Sequence, residues 1–176
     1  PVDTIYFGGG TPSVMPRGGF TEVVSALWQK FDLSGLTEFT AEANPESVTP
    51  EFLAECREIG VNRLSMGLQS ASDEILKRIG RLHTVSDFVR AVKSAKDFGI
   101  DNVSGDLIIG LPGQSEDDVK NAVELFDGLG LSHASVYALT VEEGTPLYRS
   151  GYKADDDREA ELYDAAVEHL KKYGFY

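Results

Sequence analysis

The sequence predicts an α/β fold built from about five successive βα units, and three observations lead there. Short runs rich in Val, Ile, Tyr and Phe alternate with longer stretches of helical period along the 176 residues, the pattern of parallel strands joined by crossover helices. Capping and turn residues such as Thr49-Pro50, Ser115 with Asp118, and Gly128 with Gly130 punctuate the alternation where helices would start and stop. Right-handed crossovers of this kind build either an open doubly wound sheet or a barrel, and periodicity alone does not separate the two. The third observation favours the barrel: Gly8 to Thr11, Glu42 to Asn44, Gln69 to Ser70, and Thr140 all fall at strand C-terminal ends, the face on which barrel proteins place their chemistry.

In order, Thr4 to Gly8 is the first strand, and Phe20 to Phe31 the helix after it, with Val23, Val24, Leu27, Trp28 and Phe31 on its apolar stripe. Glu38 to Glu42 is the second strand; Thr49 caps its helix and Pro50 starts it, where the missing N–H would have had no partner anyway. Arg63 to Gln69 is the third, followed by helices over Ser72 to Ile79 and Thr84 to Phe98 broken at Gly80, the second with Thr84 and Asp87 at capping-box spacing. The fourth strand, Asn102 to Ile109, runs into the turn Gly110-Leu111-Pro112-Gly113, and Ser115 with Asp118 opens the next helix. Ala134 to Leu139 is the fifth strand, and Asp155 to Tyr173 the last helix, ended by Gly174.

Composition bounds the function classes. With 41% hydrophobic residues the chain can bury one substantial core as a single domain. A net charge of -13 argues against a broad nucleic-acid or anionic-membrane surface, which needs clustered Lys and Arg. No apolar run suggests a membrane span, and Pro-Val-Asp-Thr-Ile is not a signal peptide, so a cytoplasmic protein is expected. The missing initiator Met and the stop at Tyr176 suggest a piece of a longer protein. The one cysteine, Cys56, excludes an internal disulfide and a thiolate-rich metal site; on its amphipathic helix it reads as a small core residue, and no metal ligands are assigned.

Four clusters carry the candidate chemistry. Tyr6-Phe7-Gly8-Gly9-Gly10-Thr11-Pro12-Ser13 brings backbone carbonyls close to a ligand with no Cβ in the way; neither Rossmann spacing nor a Lys-Ser/Thr pair follows, so dinucleotide and P-loop binding lose their support. Taken alone it is equally a glycine-rich turn. Glu42-Ala43-Asn44-Pro45-Glu46 places a carboxylate where ribose hydroxyls can donate to it, against the plainer reading of a solvated Glu42 before a turn. After Arg63-Leu64-Ser65-Met66-Gly67-Leu68-Gln69-Ser70 comes Gly80-Arg81-Leu82-His83: Arg81 can clamp a carboxylate or join a surface ion pair, whereas His83, like His133 and His169, reads as a structural hydrogen bonder. Asp106, inside an apolar strand, shares a face with Ile108 and Gly110 by alternation and either bonds internal partners or faces a cavity, the latter favoured. No lysine sits at a strand end for an aldolase-type Schiff base.

The order of these motifs, continued by Asp106-Leu107-Ile108-Ile109-Gly110-Leu111-Pro112-Gly113-Gln114, resembles the radical S-adenosylmethionine (SAM) proteins grouped with oxygen-independent coproporphyrinogen III oxidase, over nearly the whole chain. Gly67-Leu68-Gln69-Ser70 and the run Ser135 to Leu147 look most like the haem-chaperone branch. The resemblance implies a partial (β/α)6 TIM-like barrel of radical SAM type, with residues 1–176 as its core barrel, short of an N-terminal strand and loop bearing three cysteines and of a C-terminal domain. It implies that Gly9, Gly10 and Thr11 line the methionyl moiety of SAM, and that Glu42, Gln69, Arg81, Asp106 and Thr140 supply polar contacts to it. A [4Fe-4S] cluster held outside this chain would reduce the sulfonium, giving methionine and a 5'-deoxyadenosyl radical. The chaperone branch binds haem and delivers it to apo-haemoproteins; the alternative branch, an oxidoreductase of porphyrin biosynthesis, decarboxylates a porphyrinogen. No catalytic residue is assigned, and the chain by itself is expected to be inactive.

Overall fold

A computed structural model of the chain describes residues 1–175. Its strands β1 (Thr4–Phe7), β2 (Glu38–Ala43), β3 (Arg63–Gln69), β4 (Asn102–Ile109) and β5 (His133–Ala138) lie in one five-stranded parallel sheet in sequence order. Between and after them run α1 (Gly19–Lys30), α2 (Pro50–Glu58), α3 (Asp73–Arg78), α4 (Val85–Asp97), α5 (Glu116–Gly128), α6 (Pro146–Arg149) and α7 (Asp156–Lys172). The expected strands and helices are all present within a residue or two; α6 and two 3-10 turns, Pro12–Val14 and Pro45–Ser47, are additions.

Two compact units divide the described residues: 1–67 with 87–104, and 68–86 with 105–175. In the first, β1 pairs with β2 so that Phe7 lies beside Ala41, and β2 with β3 so that Glu42 lies beside Ser65. One face of β1 and β2 carries Phe7 and Phe39, whose rings stand 5.2 Å apart edge to face; Phe20 of α1 lies tilted 5.2 Å from Phe7, and Phe52 of α2 closes the cluster 5.9 Å from Phe20. Large aromatic surfaces in such offset geometries contribute beyond their burial. Cys56 is fully buried on α2, and burial with the neighbouring Glu55 charge pushes its thiol up to about 12, as its reading as a core residue requires.

The expectation for α1 needs correction. Val23, Trp28 and Phe31 are 41%, 55% and 54% exposed. Phe20 and Val24, one turn apart, form the line of burial; Val23 and Trp28 flank it on either side, and Phe31 is the extended residue just past the helix end. The stripe is wider than the arc that this helix buries.

The second unit packs α5 and α7 together, with Val119, Val123 and Phe126 of α5 and Leu162 and Ala166 of α7 buried. Gly105 of β4 faces Phe126 so closely that a Cβ there would lie 2.6 Å from the ring. The Ser115 and Asp118 capping box forms as expected at the start of α5, and Asp155 caps α7 by accepting from Arg158 N–H.

Glu55 of α2 does for α1 what a capping side chain usually does from within the helix. It is 7% exposed and accepts from Gly18 N–H at 3.0 and 3.1 Å, Thr21 N–H at 3.1 Å and the Thr21 hydroxyl at 3.1 Å. Gly18, at φ 88°, has no side chain to cap with, so the free N–H groups of the first turn take a carboxylate from another helix. Desolvation pushes the Glu55 carboxyl up, but the N–H groups of Gly18, Thr21 and Phe20 and the Thr21 hydroxyl outweigh it and hold it below the usual carboxylate range. A lowered folded-state pKa contributes stability that is complete above the unfolded value and fades as pH falls through the folded one. Urea unfolding should show Glu55→Gln less stable by about 2 kcal/mol at neutral pH, with the gap to the native chain closing as the pH drops below 4. A gap independent of pH would contradict this role.

Candidate functional site

In the first unit the chain leaves β1 through three glycines. Gly9 and Gly10 adopt φ 85° and 63°, and nothing lies within 4 Å of a Cβ built on either. The turn therefore uses glycine for its backbone conformation and leaves open space beside both residues rather than packing against a neighbour. Glu42, half-buried near the end of β2, ties this loop down: its Oε2 accepts from Gly9 N–H at 3.0 Å and its Oε1 from the Tyr6 hydroxyl at 2.8 Å. Glu42 is thus not simply solvated. Each oxygen keeps a further lone pair that can accept from a ligand hydroxyl.

The following residues are fixed by hydroxyl contacts. Ser13 Oγ accepts from Asn44 N–H at 3.1 Å and lies 2.5 Å from Ser47 Oγ, which donates to Asn44 O at 2.8 Å; Asn44 Nδ2 donates to Thr11 Oγ1 at 3.3 Å. The loops after β1 and β2 are cross-bonded before any ligand arrives. Gly9 and Thr11 also border an apolar cavity of about 320 Å³ with Phe7, Val14, Met15 and Val23.

In the second unit Gln69 ends β3 with φ 67°, the one non-glycine at positive φ among the described residues, and is 7% exposed. A left-handed long side chain costs roughly 1–2 kcal/mol and persists only where its surroundings impose it. Arg81 and Thr140, the latter just beyond β5, line a single cavity of about 520 Å³ whose apolar wall includes Ile108, Leu111 and Leu139. Lys77 and Arg78 line it too, so its charged lining is mainly cationic in a strongly acidic chain. Gln69 and Asp106 are not among its lining residues. Asp106 and Ile108 are half-buried while Leu107 and Ile109 are buried, as the alternation required.

The loop after β4 shows what residue patterns did not reveal. Gln114 folds back over it, its Oε1 accepting from Gly110 N–H at 2.9 Å and Leu111 N–H at 3.3 Å while its Nε2 donates to Ile108 O at 2.9 Å. Arg78 donates to Pro112 O at 2.6 Å and Tyr152 to Gly110 O at 2.9 Å; burial, then the charges of Asp155 and Glu159, push the Tyr152 hydroxyl up. Tyr6, Arg78 and Tyr152 were missed because each acts across 34 residues or more of chain. His83 takes the structural role expected of it: it is buried, with Nε2 3.2 Å from Leu68 O. Among the described residues no group of three or more His, Cys, Asp or Glu is arranged to hold a metal ion, and no helix is long and apolar enough to cross a membrane.

The radical SAM superfamily matches residues 1–126. The chain is 36% identical to the haem chaperone HemW of Lactococcus lactis, over 98% of this chain and 47% of that protein. HemW of Escherichia coli gives 35% over 99% and 46%. The Mus musculus radical S-adenosyl methionine domain-containing protein 1, mitochondrial, gives 36% over 99% and 40%. The chain therefore spans about half the length of the curated relatives it matches. Among solved structures it resembles the radical SAM coproporphyrinogen III oxidase HemN of Escherichia coli, with a TM-score of 0.85 at 21% identity over 98% of this chain and 41% of that one. This likeness establishes the fold, the partial barrel expected from the motifs. An archaeal Elp3 from Methanocaldococcus infernus follows at TM-score 0.78 and 23% identity, over 93% and 44%.

If the fold imposes the left-handed backbone at Gln69, Gln69→Asn, which tolerates that conformation, should unfold close to the native chain. Gln69→Val should be less stable than Gln69→Asn by about 2 kcal/mol. Equal urea midpoints for the two variants would show that the strain is not imposed.

Proposed function

Because the chain belongs to the radical SAM superfamily, we propose that its strand-end residues bind S-adenosylmethionine and that the protein as a whole is a HemW-type haem chaperone. In this reading Gly9, Gly10 and Thr11 line the methionyl moiety, with the open faces of the two left-handed glycines admitting it. Glu42 accepts from the ribose hydroxyls with the lone pairs that Tyr6 and Gly9 leave, and Arg81 pairs with the ligand carboxylate from the mainly cationic cavity it shares with Thr140. Gln69 and Asp106 supply further polar contacts. A [4Fe-4S] cluster held outside these residues would supply the one electron that cleaves the SAM sulfonium into methionine and a 5'-deoxyadenosyl radical. The residues of this chain do not fit the cluster itself: Cys56 is its one thiol, buried and with its pKa pushed up to about 12, and thiolates are what such clusters require. The cluster ligands, like the C-terminal domain, belong to the remaining length of a HemW-sized protein, and residues 1–176 are its core barrel.

The observation that carries the chaperone reading is the 35–36% identity to HemW proteins over 98–99% of the chain. The likeness to coproporphyrinogen III oxidase, at 21% identity, speaks for the fold alone. The partners are then haem and apo-haemoproteins, with no nucleic acid in a chain of net charge -13. The cytoplasm is the proposed compartment, and the mitochondrial name of the mouse relative marks the alternative.

The full-length protein, reconstituted anaerobically, should bind haem stoichiometrically and leave coproporphyrinogen III unchanged. Its conversion to protoporphyrinogen IX would overturn the chaperone reading. The 176-residue chain given iron and sulfide should take up no stoichiometric cluster and release no 5'-deoxyadenosine from SAM. Either event would show that the ligand set has been misassigned.

A further inference from the structure

Tyr6 is poorly explained as a core residue. It is 55% exposed, on a strand whose neighbouring Phe7 faces the buried aromatic cluster. Its hydroxyl donates instead to Glu42 Oε1 at 2.8 Å, while Glu42 Oε2 accepts from Gly9 N–H at 3.0 Å. Gly8 makes the approach possible: a Cβ there would lie 2.7 Å from Tyr6 Cε1 and 2.9 Å from Glu42 Cδ. The register explains the pairing, since Tyr6 lies beside Thr40 and Glu42 is the next residue of β2 on the same face.

We propose that Tyr6 is a positioning residue: its hydroxyl fixes the Glu42 carboxylate, and the fixed carboxylate holds the glycine loop in the conformation that receives SAM. A glutamate held at one oxygen only keeps much of its side-chain freedom, which ligand binding must then remove. Held at both oxygens it is pre-organised, and its remaining lone pairs point in set directions. The same contact orders the backbone at Gly9, a glycine at φ 85° with no side chain to order itself. Tyr6 touches no ligand in this scheme; it acts through Glu42. The inference rests on the SAM reading for its consequence, but the three-residue clamp is a property of the chain alone.

The test is backbone-amide NMR on the full-length protein, reconstituted anaerobically, as native, Tyr6→Phe, Glu42→Gln and the double variant, each titrated with SAM. Tyr6→Phe should move the Gly9 amide proton upfield and speed its exchange without changing the unfolding midpoint. It should weaken SAM binding roughly fivefold in the native background and by less than twofold on top of Glu42→Gln, because its effect passes through that carboxylate. A Gly9 amide that ignores Tyr6→Phe would overturn the proposal. So would an equal loss of SAM affinity in both backgrounds, which would make Tyr6 a direct contact. If the native full-length protein, with its cluster reconstituted, shows no saturable SAM binding, the SAM reading falls, and the Gly9 amide alone decides whether the clamp exists.

Discussion

Wherever a parallel strand ends and its chain turns towards the covering helix, backbone N–H groups leave the sheet ladder and must find acceptors elsewhere. In this protein those acceptors are side chains, two of them from another part of the fold and one from the loop itself. Glu42 serves the glycine loop after β1, Glu55 serves the start of α1, and Gln114 closes the loop after β4. A left-handed glycine sits at each of these places, at Gly9, Gly18 and Gly110, where the turn is too tight for a residue that could cap itself. The glycine loop after β1 is therefore ordered by a polar contact from 33 residues away while the space beside Gly9 and Gly10 stays open.

The same constraint separates the two kinds of carboxylate in the first unit. Glu55 spends both oxygens on the helix start and is nearly buried, so its role is complete within the chain. Glu42 receives one protein donor on each oxygen and remains half-accessible, so it has capacity left for a ligand. Two glutamates close in sequence thus differ in what remains unused, and only the second is a candidate for binding.

Strand and helix spans were legible because period and punctuation agreed: β3 and β4 fall where the apolar runs placed them, and α5 begins at the capping box read from Ser115 and Asp118. Residue types at strand ends also pointed to Gly9, Glu42 and Thr140, which lie at or just beyond the ends of β1, β2 and β5. What could not be read was anything decided by distant partners. Glu55 looks like a solvated helix residue until Gly18 arrives from 37 positions away, and Gln69 has no local propensity for the left-handed backbone it adopts. The exposed Val23 and Trp28 of α1 show the same limit, since periodicity identifies an apolar face without saying how much of it another element covers.

The central proposal is that the glycine loop after β1, held by Glu42, receives SAM. Its most direct measurement is a titration of the isotopically labelled full-length protein with SAM, following the resonances of Gly9, Gly10 and Thr11. All three should shift with one midpoint, while the buried markers Cys56 and Val123 stay still. A glycine loop that does not respond to SAM, or distinct midpoints within it, would contradict the account.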